Sequence, residues 1–348
     1  MVGLYLASTG EASGKSALCA ALGRELKAGG KRVGYLKPVA VVQPGTAQPD
    51  KDAPRMKEIL GLEEAVEWLS PVSISAADLA AAAGNAEPGW LKKVQEAYAR
   101  ASQGKDVVLL EGLSGLKSGS EPVRAAVRVA GALEAKAILL VVYESDLSVD
   151  ALVAVAGAFG DRLLGVVVNA VPERRMERFK AVVTPALGKS GIKILGVLPE
   201  DRSLLTVTVG ELAEHLGGRF VNNGEHSNDL VESVMVGALS FDSASYLNLR
   251  DNKAVITRGD RPDIQLVALN TSTVCLVLTD NVGPNATILS RAQELHVPVV
   301  VVDKSTTATA ESLDGLLDRA QFHHEKKLER LGELLDEHFD LDAIYDAI

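Results

Sequence analysis

The chain has 348 residues, of which 47% are hydrophobic and 24% charged, and its formal net charge is -10 at pH 7. This length predicts two domains of ordinary size, and the composition is sufficient for a large apolar core. The acidic balance argues against a general binder of nucleic acid or anionic membranes. The aromatic content of 4% disfavours surfaces that stack bases.

The cysteines and the hydropathy pattern indicate the compartment. Cys19 and Cys275 are far apart in apolar surroundings, which is typical of buried free thiols in a reducing environment. The first residues lack the charged-then-apolar pattern expected of a signal peptide, and no apolar run reaches the roughly 18 residues that suggest a membrane span. We therefore expect a cytoplasmic protein with no membrane or nucleic-acid partner.

The N-terminal stretch LYLASTGEASGKSALCAAL, which begins at Leu4, predicts a strand, a loop of small residues and a helix. Its Gly14-Lys15-Ser16 tripeptide is the end of a phosphate-binding pattern, G-x-x-x-x-G-K-[ST]. The strict pattern fails, because Thr9 holds the first glycine position and Gly10 comes one place late. A tight turn with a solvated lysine is therefore the alternative to a phosphate site.

In the phosphate-site interpretation, backbone N–H groups of this loop and of the helix N-terminus cradle phosphate oxygens. Lys15 would reach the outer phosphates, and the Ser16 hydroxyl would bind Mg²⁺. The expected nucleotide contacts in the loop are Thr9, Gly10, Glu11, Ala12, Ser13, Gly14, Lys15, Ser16 and Ala17.

Apolar runs alternate with helical patterns through the rest of the N-terminal half. Strands are predicted over 31–40, 106–113, 136–145, 162–171 and 193–201, and helices over 52–62, 90–102 and the stretch that begins with ERRMERF. Fully apolar strands that alternate with helices predict an α/β fold, with a parallel sheet covered by helices on both faces.

The pattern restarts after a polar, Asn- and Gly-rich connection within 208–230, which predicts a second, smaller α/β domain. We expect domains at 1–205 and 206–320, followed by a C-terminal helix at 321–348. That helix carries a stripe for core or subunit packing, formed by Leu328, Leu331, Leu335 and Phe339.

Charged residues follow several predicted strands at their carboxyl ends, where parallel sheets bind ligands. Lys37 is a candidate second positive charge on a transferring phosphoryl group, although a surface lysine is the simpler interpretation of this residue alone. Glu111 stands where a phosphate-binding fold places its metal-binding carboxylate, or is an ordinary loop glutamate. Asp50 or Asp52 is a candidate for a further Mg²⁺ ligand, and Asp52 serves equally well as a helix N-cap.

Asn169 ends another predicted strand in the stretch GVVVNAV. Its amide offers a donor and an acceptor together, as the edge of adenine requires. A turn-forming asparagine is the alternative.

Four stretches, STGEASGKS, YLKPVA, LLEGLSG and GVVVNAV, in this order and spacing resemble the dethiobiotin synthetase-like branch of P-loop proteins. That branch includes the cobyrinic acid amide synthetases and has an atypical phosphate loop. The resemblance covers about residues 1–203 and implies a P-loop NTPase-type sheet that binds ATP and Mg²⁺. It implies that Lys15, Ser16 and Lys37 hold the phosphates, that Glu111 and a loop aspartate hold Mg²⁺, and that Asn169 contacts adenine.

The second half resembles the DRTGG domain in the stretches ITRGDRPDIQLVAL and LVLTDNVGPN. The chain departs from that family at Pro262, where a threonine is expected, and at Asp280-Asn281, where a Gly-Gly pair is expected. A local ion pair between Asp260 and Arg261 is the expected role of the first turn, and a ligand-binding role is the alternative.

As a whole, the chain resembles the N-terminal regulatory region of long-form phosphate acetyltransferases, whose acetyltransferase domain would follow. The resemblance implies a nucleotide-dependent regulator or sensor with slow ATPase activity and a protein partner for the DRTGG-like domain. The alternative is an ATP-dependent ligase that activates a carboxylate or carbamate, and a fold that has lost nucleotide is a third hypothesis. We expect no acetyl transfer by this chain alone, and a homo-oligomer.

Overall fold

The structure, a computed structural model, describes residues 1–42, 52–82, 88–145, 147–237, 243–313, 316 and 322–348. These residues form two compact units, one of Met1–Glu200 with Phe322–Ile348 and the other of Asp201–Gln321. The limits expected from the sequence, at residues 205 and 320, remain predictions. In the described part of the chain, every helix is too short or too polar to cross a bilayer.

The strands of the first unit are β1 (Val2–Ser8), β2 (Val33–Leu36), β3 (Ala40–Val42), β4 (Ser73–Ser75), β5 (Val107–Glu111), β6 (Lys136–Val142), β7 (Leu163–Val171) and β8 (Ile194–Pro199). Among the described residues, β2, β5, β1, β6, β7 and β8 pair in that order as a parallel sheet. Consecutive residues of β5 are all buried although they point to opposite sides, so both faces of the sheet are covered. The predicted α/β fold with a parallel sheet is confirmed.

The helices between these strands are α1 (Lys15–Ala28), α2 (Asp52–Leu60), α3 (Val66–Leu69), α4 (Ala76–Ala82), α5 (Leu91–Ala101), α6 (Glu121–Ala132), α7 (Val149–Gly157) and α8 (Glu173–Lys189). Cys19 lies fully buried on α1 as a free thiol. The run predicted as a strand over 31–40 contains β2 and then, beyond Pro38, the first residue of β3, which pairs with β4 outside the main sheet. Proline cannot donate a ladder hydrogen bond, which is consistent with this interruption.

The second unit is also α/β, as predicted. Its strands are β9 (Val207–Thr208), β10 (Arg219–Asn222), β11 (Leu230–Val231), β12 (Ser233–Val236), β13 (Lys253–Arg258), β14 (Thr273–Thr279) and β15 (Val299–Val301). Its helices are α9 (Val209–Leu216), α10 (Ser243–Leu247), α11 (Pro262–Leu269), α12 (Ala286–Glu294) and α13 (Thr306–Glu311). Its main sheet has the order β10-β15-β14-β13-β12 in the described residues, and β10 is antiparallel to its neighbour. Cys275 is a buried free thiol on β14.

The C-terminal segment returns to the first unit as α14 (Glu325–His338) and α15 (Leu341–Ala347) rather than as one helix. Phe339 lies between them and forms an antiparallel bridge with Gly196 of β8. The predicted stripe is buried, and α14 packs on α1 and β8. The stripe therefore belongs to the core of the first unit.

Candidate functional site

The phosphate loop, the segment between β1 and α1, is anchored to both neighbouring strands. The Ser8 N–H donates to the Leu113 carbonyl (3.0 Å), just beyond β5, and the Thr9 N–H donates to the Leu140 carbonyl of β6 (3.0 Å). The Ser8 hydroxyl donates to the Gly10 carbonyl (2.7 Å). These bonds fix the direction in which the loop leaves the carboxyl edge of the sheet.

Gly14 ends the phosphate loop with a φ of +86°, in the left-handed region. A Cβ at this position would lie 2.9 Å from Nδ2 of Asn169. A side chain would therefore be both strained and crowded, which explains the need for glycine. Since Gly14 has no side chain to cap α1, the first-turn N–H groups are available to an anion.

Lys15, the first residue of α1, is only 7% exposed. Its Nζ donates to Oγ of Ser114, in the loop after β5. Burial lowers the pKa of Lys15, the Glu111 carboxylate opposes that shift, and the Lys37 ammonium adds to it. A buried cation at the entry of a helix is suited to an anionic ligand, which would replace the water that the ammonium has lost.

Glu111, the last residue of β5, is the centre of the site and is 3% exposed. Its Oε1 accepts a hydrogen bond from the Ser16 hydroxyl (2.9 Å) and lies 3.4 Å from Nζ of Lys37. Its Oε2 accepts a hydrogen bond from the Tyr35 hydroxyl (2.8 Å). The buried carboxylate is therefore held by groups from α1, from β2 and from the turn after β2.

Lys37 follows β2 and joins Glu111 to a second carboxylate. Its Nζ lies 2.7 Å from Oδ2 of Asp52, the first residue of α2, and the lysine side chain is 16% exposed. The interpretation of Lys37 as a solvated surface lysine is therefore wrong, because its ammonium lies between two carboxylates.

The donor set of the expected metal ligands suits a hard cation. Ser16, Asp52 and Glu111 supply a hydroxyl and two carboxylates, which the structure joins through the Ser16–Glu111 hydrogen bond and the Lys37 ion pairs. Asp50 lies outside the described residues. Within those residues, no group of three or more acidic, histidine or cysteine side chains could hold a metal by itself. A donor set of one hydroxyl and two carboxylates fits Mg²⁺, which uses one or two carboxylates and completes its shell with phosphates and waters.

Asn169, near the end of β7, lies against the phosphate loop. Its Nδ2 donates to the Ser13 carbonyl (2.9 Å). The Ser13 hydroxyl is buried without a hydrogen-bond partner. Contact of Asn169 with adenine stays a prediction. The Asn169 amide would contact the base either while it donates to the Ser13 carbonyl or after it has given up that hydrogen bond.

The sequence interpretation missed Tyr35 and Ser114. Residues two apart in an extended chain lie on the same face, so Tyr35 could have been predicted to place its hydroxyl on the same side as Lys37. Ser114 comes three residues after Glu111, in a loop whose direction depends on Gly112 and Gly115. Gly115 has a φ of +67°, and no sequence pattern predicts where such a loop aims its serine.

The turn after β13 in the second unit forms different ion pairs from the one expected. Asp260 pairs with Arg258 (2.6 Å), and Arg261 pairs with Asp263 (2.7 Å). Both pairs are two residues apart and bind through both carboxylate oxygens, so the expected bridge between Asp260 and Arg261 is replaced.

The turn after β14 explains how the chain departs from the expected Gly-Gly pair. Asp280 and Asn281 have φ values of +63° and +54°. The left-handed backbone that glycine favours is retained, and Asp and Asn are among the non-glycine residues that adopt it most readily.

Comparison with known proteins places both units in described families. The family model of the AAA domain matches residues 2–208, and that of the DRTGG domain matches residues 211–316. Phosphate acetyltransferase of Pseudomonas putida is 25% identical over 356 residues, which cover 97% of this chain and 50% of that protein. The enzyme of Nitrosomonas europaea is 26% identical, with 96% and 50% covered.

The chain spans about half the length of the curated relatives it matches. Among solved structures, the MinC:MinD cell division protein complex of Aquifex aeolicus is 18% identical, with a TM-score of 0.34, and the match covers 59% of this chain and 84% of that one. With the P-loop architecture of the first unit and the matches to both family models, the chain belongs to the AAA-domain family of P-loop proteins and carries a DRTGG domain after its P-loop domain.

Proposed function

We propose that this protein binds ATP with Mg²⁺ in its first unit and acts as a nucleotide-dependent regulator or sensor with slow ATPase activity. The observation that carries the proposal is the convergence of Lys15, Ser16, Lys37, Asp52 and Glu111 at the carboxyl edge of the sheet, beside a glycine-ended loop. Cytoplasmic location is part of the same proposal.

The chemistry rests on positioning and charge, which is most of what phosphoryl transfer asks of a protein. The loop amides and the first turn of α1 would hold the phosphate chain, and Lys15 would leave Ser114 to meet it. Lys37 would place a second cation near the outer phosphate. Bound Mg²⁺ would neutralise further phosphate charge, and Ser16, Glu111 and Asp52 would hold it.

The regulatory part of the proposal is supported by the combination of a P-loop domain with a DRTGG domain. The curated relatives are phosphate acetyltransferases, which suggests the regulatory region of an enzyme of that kind. In this proposal, nucleotide in the first unit changes the affinity of the DRTGG domain for a protein partner, and the partner changes nucleotide affinity by the same factor. We also propose that the protein forms a homo-oligomer. Analytical ultracentrifugation at several protein concentrations would measure its molecular mass in solution.

Calorimetric titration with ATP and Mg²⁺ tests the binding proposal. We expect saturable binding by the wild type and its loss in Lys15→Ala, since a charge-assisted phosphate contact disappears. Lys136→Ala is the matched control, because this exposed lysine begins β6 at the opposite, amino edge of the sheet. Absence of ATP binding by the wild type would refute the proposal.

A second candidate, an ATP-dependent ligase that activates a carboxylate or carbamate, is favoured by one observation. Lys37, just beyond β2, lies 3.4 Å from the buried Glu111, and the charges of both residues act on the pKa of Lys15. In this candidate, the two lysines would share one phosphoryl group. Phosphate release should then rise strongly with one carboxylic acid from a panel of metabolites. A rate unchanged across the panel would favour the regulator.

A further inference from the structure

Tyr35 lies behind the carboxylate that would face the metal. We propose that Tyr35 is a positioning residue that holds one oxygen of Glu111, so that the other alone is presented to the cation, and that this selects Mg²⁺ over Ca²⁺. The inference rests on the proposed function, because it concerns the cation that would accompany ATP.

The two oxygens of Glu111 have different surroundings. Oε2 accepts the Tyr35 hydroxyl at 2.8 Å, and the tyrosine is fully buried. Oε1 accepts the Ser16 hydroxyl at 2.9 Å, on the side of the phosphate loop. Only Oε1 therefore lies next to another expected metal ligand.

The sheet makes this arrangement rigid. β2 and β5 are adjacent parallel strands, and Tyr35 pairs with Leu109, two residues before Glu111. Residues two apart on a strand share a face, so the tyrosine points along that face toward the carboxylate. Since all residues of β2 are buried, the ring has no room to leave the carboxylate.

A fixed oxygen discriminates between cations by their coordination. Ca²⁺ takes six to eight oxygen ligands and commonly uses both oxygens of a carboxylate, whereas Mg²⁺ requires near-octahedral geometry and retains waters. A glutamate with one oxygen bound to a tyrosine is a poor two-oxygen ligand. The Tyr35–Glu111 bond thus suits Mg²⁺ and disfavours Ca²⁺.

The experiment compares Tyr35→Phe with the wild type in calorimetric ATP titrations at graded Mg²⁺ or Ca²⁺. Phenylalanine keeps the buried ring and removes only the hydroxyl. We expect the Mg²⁺ concentration for half-maximal ATP binding to rise about tenfold. Removing a side chain that hydrogen-bonds to a metal ligand typically weakens metal affinity by about this factor or more. Because Ca²⁺ gains access to the freed oxygen, the Mg²⁺-over-Ca²⁺ ratio should fall by at least that factor.

Tyr5→Phe is the matched control. Tyr5 is equally buried on β1, on the other side of β5, and its hydroxyl accepts the Leu113 N–H (3.2 Å). This variant should keep the wild-type cation ratio. Melting curves of both variants show whether they are folded.

Each outcome bears on a different claim. An unchanged cation ratio in folded Tyr35→Phe would overturn the role of Tyr35 while the wild type still binds Mg²⁺ and ATP. A wild type that binds no ATP would refute the proposed function itself, and this inference with it. If Tyr35→Phe does not fold, a wild-type crystal with Mg²⁺ and a non-hydrolysable ATP analogue decides. Tyr35 should remain on Oε2, and two-oxygen coordination by Glu111 would overturn the inference.

Discussion

Replacing Lys15 with methionine should stabilise the nucleotide-free protein and make it insensitive to ATP. Lys15 is 7% exposed, and burial lowers its pKa. Methionine is unbranched, of similar length, and has no charge to desolvate. Replacing a whole buried ion pair by apolar groups is often neutral or stabilising by about 1–4 kcal/mol, whereas removing one partner of such a pair is destabilising. Lys15 is closer to the first case, because its Nζ donates to a neutral hydroxyl, that of Ser114.

The lower end of that range applies to Lys15. Its partner Ser114 is partly exposed and can turn to water, but the buried Glu111 loses a nearby positive charge. A gain of about 1 kcal/mol corresponds to a rise of roughly 2–4 °C in Tm for a unit of this size. Differential scanning calorimetry without nucleotide measures it.

Added nucleotide should reverse the order of melting. ATP at a hundred times its Kd stabilises a folded protein by about 2.7 kcal/mol, which on the same scale is roughly 5–11 °C. Wild type with Mg²⁺ and ATP should therefore melt above Lys15→Met, whose Tm should not move. Lys136→Met is the control and should follow the wild type in both conditions.

The difference in stability between the wild type and Lys15→Met, without nucleotide, should also depend on pH. Since the folded-state pKa of Lys15 lies below its unfolded value, the unfolded chain binds more protons between those two values. The contribution of this group to wild-type stability therefore rises with pH across that interval, and the advantage of the variant narrows. A variant that melts below the wild type without nucleotide, or that still gains stability from ATP, would refute the reasoning.

Three further predictions concern the loop, the base and the C-terminal helix. Gly14→Ala should lower stability by about 1–2 kcal/mol in a melting experiment and weaken ATP binding, because its Cβ meets Asn169 at 2.9 Å and its φ is +86°; unchanged melting and ATP affinity would contradict this. Asn169→Ala should shrink the ATP-over-GTP preference in paired titrations, and an unchanged preference would refute the adenine contact. Leu335 on α14 is 1% exposed, so Leu335→Ala should lower the free energy of unfolding, measured in urea, by about 2–5 kcal/mol. Glu333→Ala, at an exposed position of the same helix, should change it by less than about 0.5 kcal/mol. Equal effects of the two substitutions would contradict burial of α14 in the first unit.

The main sheet could be predicted because its strands are nearly continuous apolar runs. The run ending at Glu111 is buried on both faces, so its apolar composition indicates a parallel sheet. The position of Lys37 could not be predicted in this way. Its ion pair with Asp52, the first residue of α2, forms only when α2 packs beside β2.

The C-terminal segment shows the same limit. Periodicity predicted one helix through Phe339, because apolar spacing continues across it. The break comes from the Gly196 backbone, which bridges Phe339, and the Asp340 side chain then caps α15 by accepting the Ala343 N–H (3.0 Å). Pairing with a residue so distant in sequence leaves no local signal.

The return of α14 and α15 to the first unit has a consequence for synthesis of the protein. Helix α1, which begins at Lys15, contacts α14 from the far end of the sequence. While the ribosome is still adding residues 322–348, that surface of the P-loop domain lacks its covering helix. The P-loop domain, although it emerges before the DRTGG domain, can complete its core only after the rest of the described chain has left the exit tunnel.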